Sequence, residues 1–256
     1  MTTLQALAVS VQRGAVPVLA AVDCRVQSGS LLGICGPNAA GKSTLLRCLA
    51  GLLRPTQGTL ELEGQPLAAL TPISRARAIG YLAQNVEIAW RLSVRELATL
   101  GRFPHHAPWS RLRETDRSAI EQALRQADVA DLSERSINTL SGGERMRAHL
   151  ARVFAGAQPV ILADEPITAL EPRYQFEILA ALRDQARAGA AVAVVLHDLA
   201  LAARYCDRLV LLDRGRVVAA GLPREVLTQA RLAETFGVRG VWTADHGQLS
   251  ALQPLA

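Results

Sequence analysis

Nine consecutive residues, Gly36-Pro37-Asn38-Ala39-Ala40-Gly41-Lys42-Ser43-Thr44, carry the most specific chemistry in the chain. They fit G-x-x-x-x-G-K-[ST], the pattern of a phosphate-binding loop. The glycines let successive backbone N–H groups turn toward one point. A helix starting at Lys42 would add about half a positive charge there. Lys42 can reach the β- and γ-phosphates of a nucleotide, and the Ser43 hydroxyl can ligate Mg2+. An ordinary Gly-rich turn gives no reason for Lys-Ser-Thr at a helix start.

Two more segments carry chemistry. Asp164 and Glu165 follow the apolar run Val160-Ile161-Leu162-Ala163. A carboxylate at a buried strand end can hold Mg2+, directly or through water, and Glu165 beside it can polarise an attacking water. Two solvated acids at a strand end are the plain alternative. In Leu140-Ser141-Gly142-Gly143-Glu144, Ser141 and Glu144 form a capping box for the helix that follows. The box does not explain two glycines in the first turn, which cost roughly 1 kcal/mol each against Ala. Bare glycines at a helix N-terminus admit a phosphate to the backbone. That anion should be a second phosphate contact, not the one on the Gly36–Thr44 loop.

These residues need a scaffold. Leu31-Leu32-Gly33-Ile34-Cys35 reads as a buried strand entering the loop, and Leu45 to Ala50 as a helix ending near Gly51 and Pro55. Upstream, Leu7 to Val11 and Val18 to Val22 read as antiparallel strands, the first with Leu7, Val9 and Val11 on one face. Thr59 to Gly64 and Ile79 to Ala83 read as further strands, the second ending at Gln84. From Ser93 to Leu140 the pattern turns helical: Ser93 and Glu96 cap one helix, and Asp116 to Val129 carries Ile120, Leu124 and Ala127 on one face. Strand signals then return at Val160–Ala163 and Ala191–Leu196, with a helix over Tyr174–Arg187 between them. A hairpin follows over Leu209–Ala220. Strands alternating with helices predict a mostly parallel sheet with ligands at the strand C-terminal ends. The Gly36–Thr44 loop, Asp164-Glu165 and His197 all follow such strands. The stretch after Gly237 is weakly patterned.

Composition sets the outer limits. A length of 256 residues suits one large α/β domain or two smaller ones, and half the residues are apolar. No apolar run approaches the roughly 20 residues that cross a bilayer, and the first residues lack a signal-peptide plan. A cytoplasmic protein is expected. The four cysteines are scattered without C-x-x-C spacing and read as small core residues. A net charge of +5 permits contact with acidic phosphates or a membrane surface without demanding it. His105-His106 reads as a surface turn rather than a metal site.

Taken in order, Gly36–Thr44, Gln84, Leu140–Glu144, Ala163-Asp164-Glu165-Pro166 and His197 resemble the ATP-binding subunits of ABC transporters, over about residues 5 to 238. The resemblance implies a P-loop NTPase core: an α/β fold with a mixed, mostly parallel sheet, an N-terminal antiparallel β part and a helical subdomain. It places one ATPase domain over 1–238, with the insertion at about 85–140 plus a signature helix over 141–156, and a C-terminal tail over 239–256. It implies ATP and Mg2+. It also implies a head-to-tail homodimer in which each ATP lies between one P-loop and the partner's Ser141-Gly142-Gly143-Glu144. Gln84 would touch Mg2+ or the attacking water and sense the membrane subunits, and His197 would contact the γ-phosphate. Lys42, Gln84, Glu165 and His197 form the catalytic set; Ser43, Gln84 and Asp164 form the metal set. Two permease subunits, a substrate-binding protein acting indirectly, and a place on the cytoplasmic face of the membrane are implied. No nucleic-acid partner is. Ser93–Leu97, Leu100–His105 and Leu196–Arg208 resemble, within that family, importers of iron–siderophore, haem and cobalamin complexes.

Four positions depart from the family pattern. Ala39 stands where Gly is usual, Glu171 where an Asp is usual, and Met146 where a Gln is common. The aromatic that stacks on adenine is missing. Counting back from the loop puts Gln12 or Arg13 near its place, and a guanidinium can stack on a base, which makes Arg13 a candidate. Two other readings compete: a soluble ABC-type ATPase acting on nucleic acid or ribosomes, and a regulatory module without catalysis. The first usually brings two cassettes or a long coiled coil, and this chain has one cassette and no heptad run. The second sits badly with Glu165 and His197 both present.

Overall fold

The structure, a computed structural model, describes residues 2–84, 90–106, 111–242 and 249–254. The start of the expected insertion (85–89) and parts of the tail (243–248, 255–256) lie outside the described residues. In chain order the elements are β1 (Thr3–Arg13), β2 (Val16–Gln27), β3 (Ser30–Cys35), α1 (Lys42–Leu49), β4 (Gln57–Leu62), β5 (Gln65–Pro66), α2 (Pro72–Ala78) and β6 (Ile79–Leu82). Then come α3 (Val94–Leu100), α4 (Glu114–Gln126), α5 (Gly142–Ala155), β7 (Val160–Asp164), α6 (Pro172–Arg187), β8 (Ala191–Val195) and α7 (Leu199–Tyr205). The chain closes with β9 (Arg208–Asp213), β10 (Arg216–Gly221), α8 (Pro223–Val226), α9 (Gln229–Phe236), β11 (Val238–Trp242) and β12 (Leu249–Pro254).

A six-stranded sheet in the order β10-β9-β3-β8-β7-β6 forms the centre. All its pairings are parallel except β10 with β9. Continuous apolar runs make such strands because both faces are covered. Alternate residues serve two cores. Leu31, Cys35, Ile161, Ala163, Val192 and Val194 face the helices. Leu32, Ile34, Val160, Leu162, Ala193 and Val195 face α1 and the antiparallel sheet β2-β1-β4-β5. The register pairs Ile34 with Val195, Val195 with Asp164, and Ala163 with Leu82. The C-terminal ends of β3, β8, β7 and β6 therefore line up along one edge, and that edge carries the chemistry.

The helical insertion is present as expected. Ser93 and Glu96 form the capping box of α3, and Ile120, Leu124 and Ala127 are buried. Arg95 ties α3 to Glu121 of α4 and, at 2.8 Å, to Glu134. All four cysteines are free and buried. Burial pushes the thiols of Cys24 and Cys35 up to about 12.

Two expectations are corrected. Leu7 does not share a face with Val9 and Val11. The register of β1 on β2 jumps between Ala6 and Val9, Ala8 sits at φ 48°, and this bulge turns Leu7 outward while Leu4 and Ala6 take the inner face. His105-His106 is not a solvated turn: His105 Nε2 lies 2.9 Å from the Gly156 carbonyl, and His106 Nε2 lies 3.2 Å from Asp116 Oδ2. After Gly237, where the sequence is weakly patterned, the described residues form a hairpin. Gly237, at φ 67°, ends α9 and turns the chain into β11, which pairs antiparallel with β12. Trp242 Nε1 donates to the Leu227 carbonyl at 3.2 Å and fixes that hairpin to the body.

Candidate functional site

The Gly36–Thr44 loop joins β3 to α1, as its sequence requires. Two of its glycines are fixed by close approach. A Cβ on Gly36 (φ 152°) would lie 2.1 Å from the Leu212 carbonyl oxygen; one on Gly41 (φ 99°) would lie 2.6 Å from Leu19 Cδ2 and 2.9 Å from the Val18 carbonyl oxygen. Ala39 also sits in the left-handed region, at φ 62°. That explains why glycine is the easier residue there. No side chain caps α1, and its first turn holds no acid. Its leading N–H groups are left for an anion.

Lys42 is the only lysine in the sequence. It is 5% exposed, and its Nζ donates to the carbonyls of Gly36 (2.9 Å) and Pro37 (2.8 Å). Burial holds its pKa below the ordinary value, against the opposing pull of Glu165. A cavity of about 490 Å³ opens over the loop, and Arg13, Val16, Lys42, Ser43, Glu165 and His197 contribute to its lining. Arg13 is thus among the lining residues, whereas Gln12 is not. Val16, 64% exposed, lines it too and lies in the stretch between the two strands read from the sequence, where nothing marked it.

The strand ends bring the other groups together. Asp164 is fully buried. Its Oδ1 accepts from the Ser43 hydroxyl at 2.8 Å, and its Oδ2 accepts from the Tyr81 hydroxyl at 3.2 Å. Glu165, at φ 49°, is gripped at both oxygens. Gln84 Nε2 donates to Oε2 at 2.6 Å, and His197 Nε2 lies 2.5 Å from Oε1. Thr168 Oγ1 donates to Oε2 at 3.3 Å. Ser43 and Asp164 offer hard oxygen donors that already meet, and the Gln84 side chain is bonded to the neighbouring Glu165. This donor set fits Mg2+.

Ser141, Gly142, Gly143 and Glu144 contribute nothing to the lining of this cavity. They open α5, where Ser141 and Glu144 form the expected capping box. The backbone N–H of Ser141, bonded to the Glu144 carboxylate, lowers the pKa of that acid. The two glycines differ. A Cβ on Gly143 would lie 2.3 Å from Tyr174 Cγ, so this glycine answers to packing inside the chain. A Cβ on Gly142 would meet only Leu170 Cδ2, at 3.5 Å. Gly142 and Ser141 are exposed. Tyr81, Thr168 and Tyr174 were missed from sequence: each lies in a run whose apolar or turn character masked its hydroxyl or ring.

Compared with known proteins, residues 19–168 match the ABC transporter family. A hemin import ATP-binding protein of Bordetella avium is 44% identical over 245 residues, 92% of each chain. One from Pseudomonas entomophila is 45% identical over 232 residues, 89% of each. A cobalamin import ATP-binding protein of Halobacterium salinarum is 39% identical over 93% of this chain and 59% of its own. Among solved structures, one described as an inward-facing metal-chelate type ABC transporter matches with a TM-score of 0.85 at 25% identity, covering 100% of this chain and 98% of that one.

Proposed function

Since this chain belongs to the ABC transporter family as an ATP-binding ATPase subunit, we propose that it powers import of a metal chelate, haem before cobalamin or an iron–siderophore, through two membrane subunits. The observation that carries the catalytic part is a loop cavity lined by Lys42, Ser43, Glu165 and His197, with Asp164 bonded to Ser43 and Gln84 to Glu165, that no signature residue lines. The site is half of one. Its complement is Ser141-Gly142 of a second copy, presented on an exposed helix start. The hemin and cobalamin import relatives support the cargo class.

In this reading the Lys42 ammonium leaves the Gly36 and Pro37 carbonyls for the β- and γ-phosphates of ATP. The N–H groups opening α1 hold the same phosphates. Ser43 and Asp164, and Gln84 by the family resemblance, would hold the Mg2+ ion, which when bound would neutralise charge building on the phosphate oxygens. Glu165 takes the proton of the water that attacks the γ-phosphorus, while the bond to the ADP oxygen breaks. Gln84 and His197 hold the Glu165 carboxylate in place, and an oxygen must be released for it to act as a base. Arg13 and Val16 line the cavity, which supports a reading in which a guanidinium and an apolar side chain take the base in place of an aromatic ring.

For the membrane subunits, the chain offers apolar side chains in water. Ile73 on α2, Trp90 and Phe103 are 59%, 75% and 74% exposed. Arg77 of α2 donates to the Pro104 carbonyl at 2.7 Å, which joins the segments carrying Ile73 and Phe103. Such side chains suit a docking partner. The test is reconstitution with the permease and binding protein encoded beside it, in sealed vesicles. ATP-dependent accumulation of haem supports the proposal. ATP hydrolysis with accumulation of cobalamin or an iron–siderophore alone moves the cargo; no hydrolysis in the complex overturns it.

A further inference from the structure

We propose that Tyr81 is a positioning residue for Asp164: its hydroxyl holds one carboxylate oxygen so that the other stays aimed, with Ser43, at the metal position. The inference rests on the assignment of Ser43 and Asp164 made above and adds a residue to it. Tyr81 sits in β6, between Gly80 and Leu82, in a strand whose apolar character Phe would serve equally well. The hydroxyl is the part that needs a reason. It donates to Asp164 Oδ2 at 3.2 Å, while Oδ1 accepts from Ser43 at 2.8 Å. The two oxygens of a fully buried carboxylate are thus divided between two tasks.

The division has a mechanical meaning. The carboxylate torsion of Asp is broad and roughly two-fold, so a lone contact through Ser43 would leave it loosely set. A donor on the far oxygen removes that freedom. Burial, then the charge of Asp164, raises the pKa of the Tyr81 phenol, and Arg47, one turn along α1 from Ser43, opposes that rise. Arg152 of α5 donates from Nη2 to the Tyr81 carbonyl at 3.1 Å. α1 therefore supplies the hydroxyl for one Asp164 oxygen and, at Arg47, a positive charge that acts on the phenol bonded to the other. The signature helix anchors the backbone of that same tyrosine, three residues ahead of Gln84.

The test uses the full chain carrying Glu165→Gln, so that ATP is not consumed, with Mn2+ as the probe followed by electron paramagnetic resonance. Adding Tyr81→Phe weakens Mn2+ binding to the ATP-loaded protein about tenfold, the size of one hydrogen bond to a charged group. ATP affinity in EDTA and the melting temperature stay as in the parent. Arg47→Met shifts Mn2+ binding the same way by a smaller factor, which keeps the test open should Tyr81→Phe not fold. Unchanged Mn2+ affinity in both variants overturns the proposal. So does a loss shared equally by Mn2+ affinity, metal-free ATP affinity and melting temperature, since that is a merely structural role. A parent protein that binds no Mn2+–ATP overturns the metal assignment itself and the proposal with it.

Discussion

Gln84 donates its side-chain amide to Glu165 Oε2 at 2.6 Å, so the residue that leads into the helical insertion holds the acid placed to activate water. His197 closes on the other oxygen. Both oxygens of the Glu165 carboxylate are therefore engaged, and Thr168 shares Oε2 with Gln84. A movement that draws Gln84 away leaves Oε2 with the longer Thr168 contact alone and keeps the contacts of Asp164.

Glu165→Gln keeps the size and polar reach of the side chain and removes the proton acceptor. Turnover by the assembled transporter falls by about a thousandfold, while ATP stays bound and the two copies stay together. Size-exclusion chromatography with radiolabelled ATP reads the trapped dimer. Hydrolysis at the parent rate would assign the base elsewhere.

Ala39→Gly relieves a left-handed alanine in the loop (φ 62°). The strain removed is roughly 1–2 kcal/mol, and the added freedom of the unfolded chain returns part of it. A net gain of about 0.5–1 kcal/mol is expected, read as a rise of about 2 °C in melting temperature.

The paired glycines of the signature separate by experiment. Gly143→Ala drives a methyl into the Tyr174 ring and costs about 1–3 kcal/mol of stability, seen in a thermal melt. Gly142→Ala meets open surface and ordinary contact. It leaves the melt within about 0.5 kcal/mol, yet lowers turnover, because its bare backbone is offered to the nucleotide on the other copy.

His149 gives a pH dependence with a definite sign. It is 2% exposed in α5, and neither ring nitrogen has a hydrogen-bond partner among the described residues. Burial first, then the charges of Arg152 and Arg145, lowers its pKa from 6.5 to about 4. Between those values the unfolded chain takes up a proton that the fold refuses. Stability is therefore lost as pH falls from 6.5 toward 4, by on the order of 3 kcal/mol. His149→Leu removes this component and is neutral or stabilising at pH 7. Urea titrations of both proteins at pH 7 and pH 5 measure the difference.

The order of strands, the loop and the residues at the strand ends were legible because each rests on a local cause: an apolar run, a required glycine, a cap. Cys35 to Thr44 and Val160 to Glu165 could be read from spacing alone. What escaped was set by neighbours distant in sequence. Leu7 faces outward because of a bulge at Ala8 that no alternation pattern marks. Gly143 is small for the sake of Tyr174, thirty-one positions on. Tyr81 looked like one more apolar strand residue until β6 lay beside β7 and its hydroxyl met Asp164. The β11–β12 hairpin was illegible because two short strands with little alternation carry almost no periodic signal of their own.

Lys42 is buried against its own loop, and every other basic side chain that stays charged is a guanidinium. To a reagent that reacts with primary amines, the outer surface of this protein is therefore silent apart from the amino terminus. Acylation, reductive methylation or amine cross-linking has one side chain to find, and ATP would lie over it.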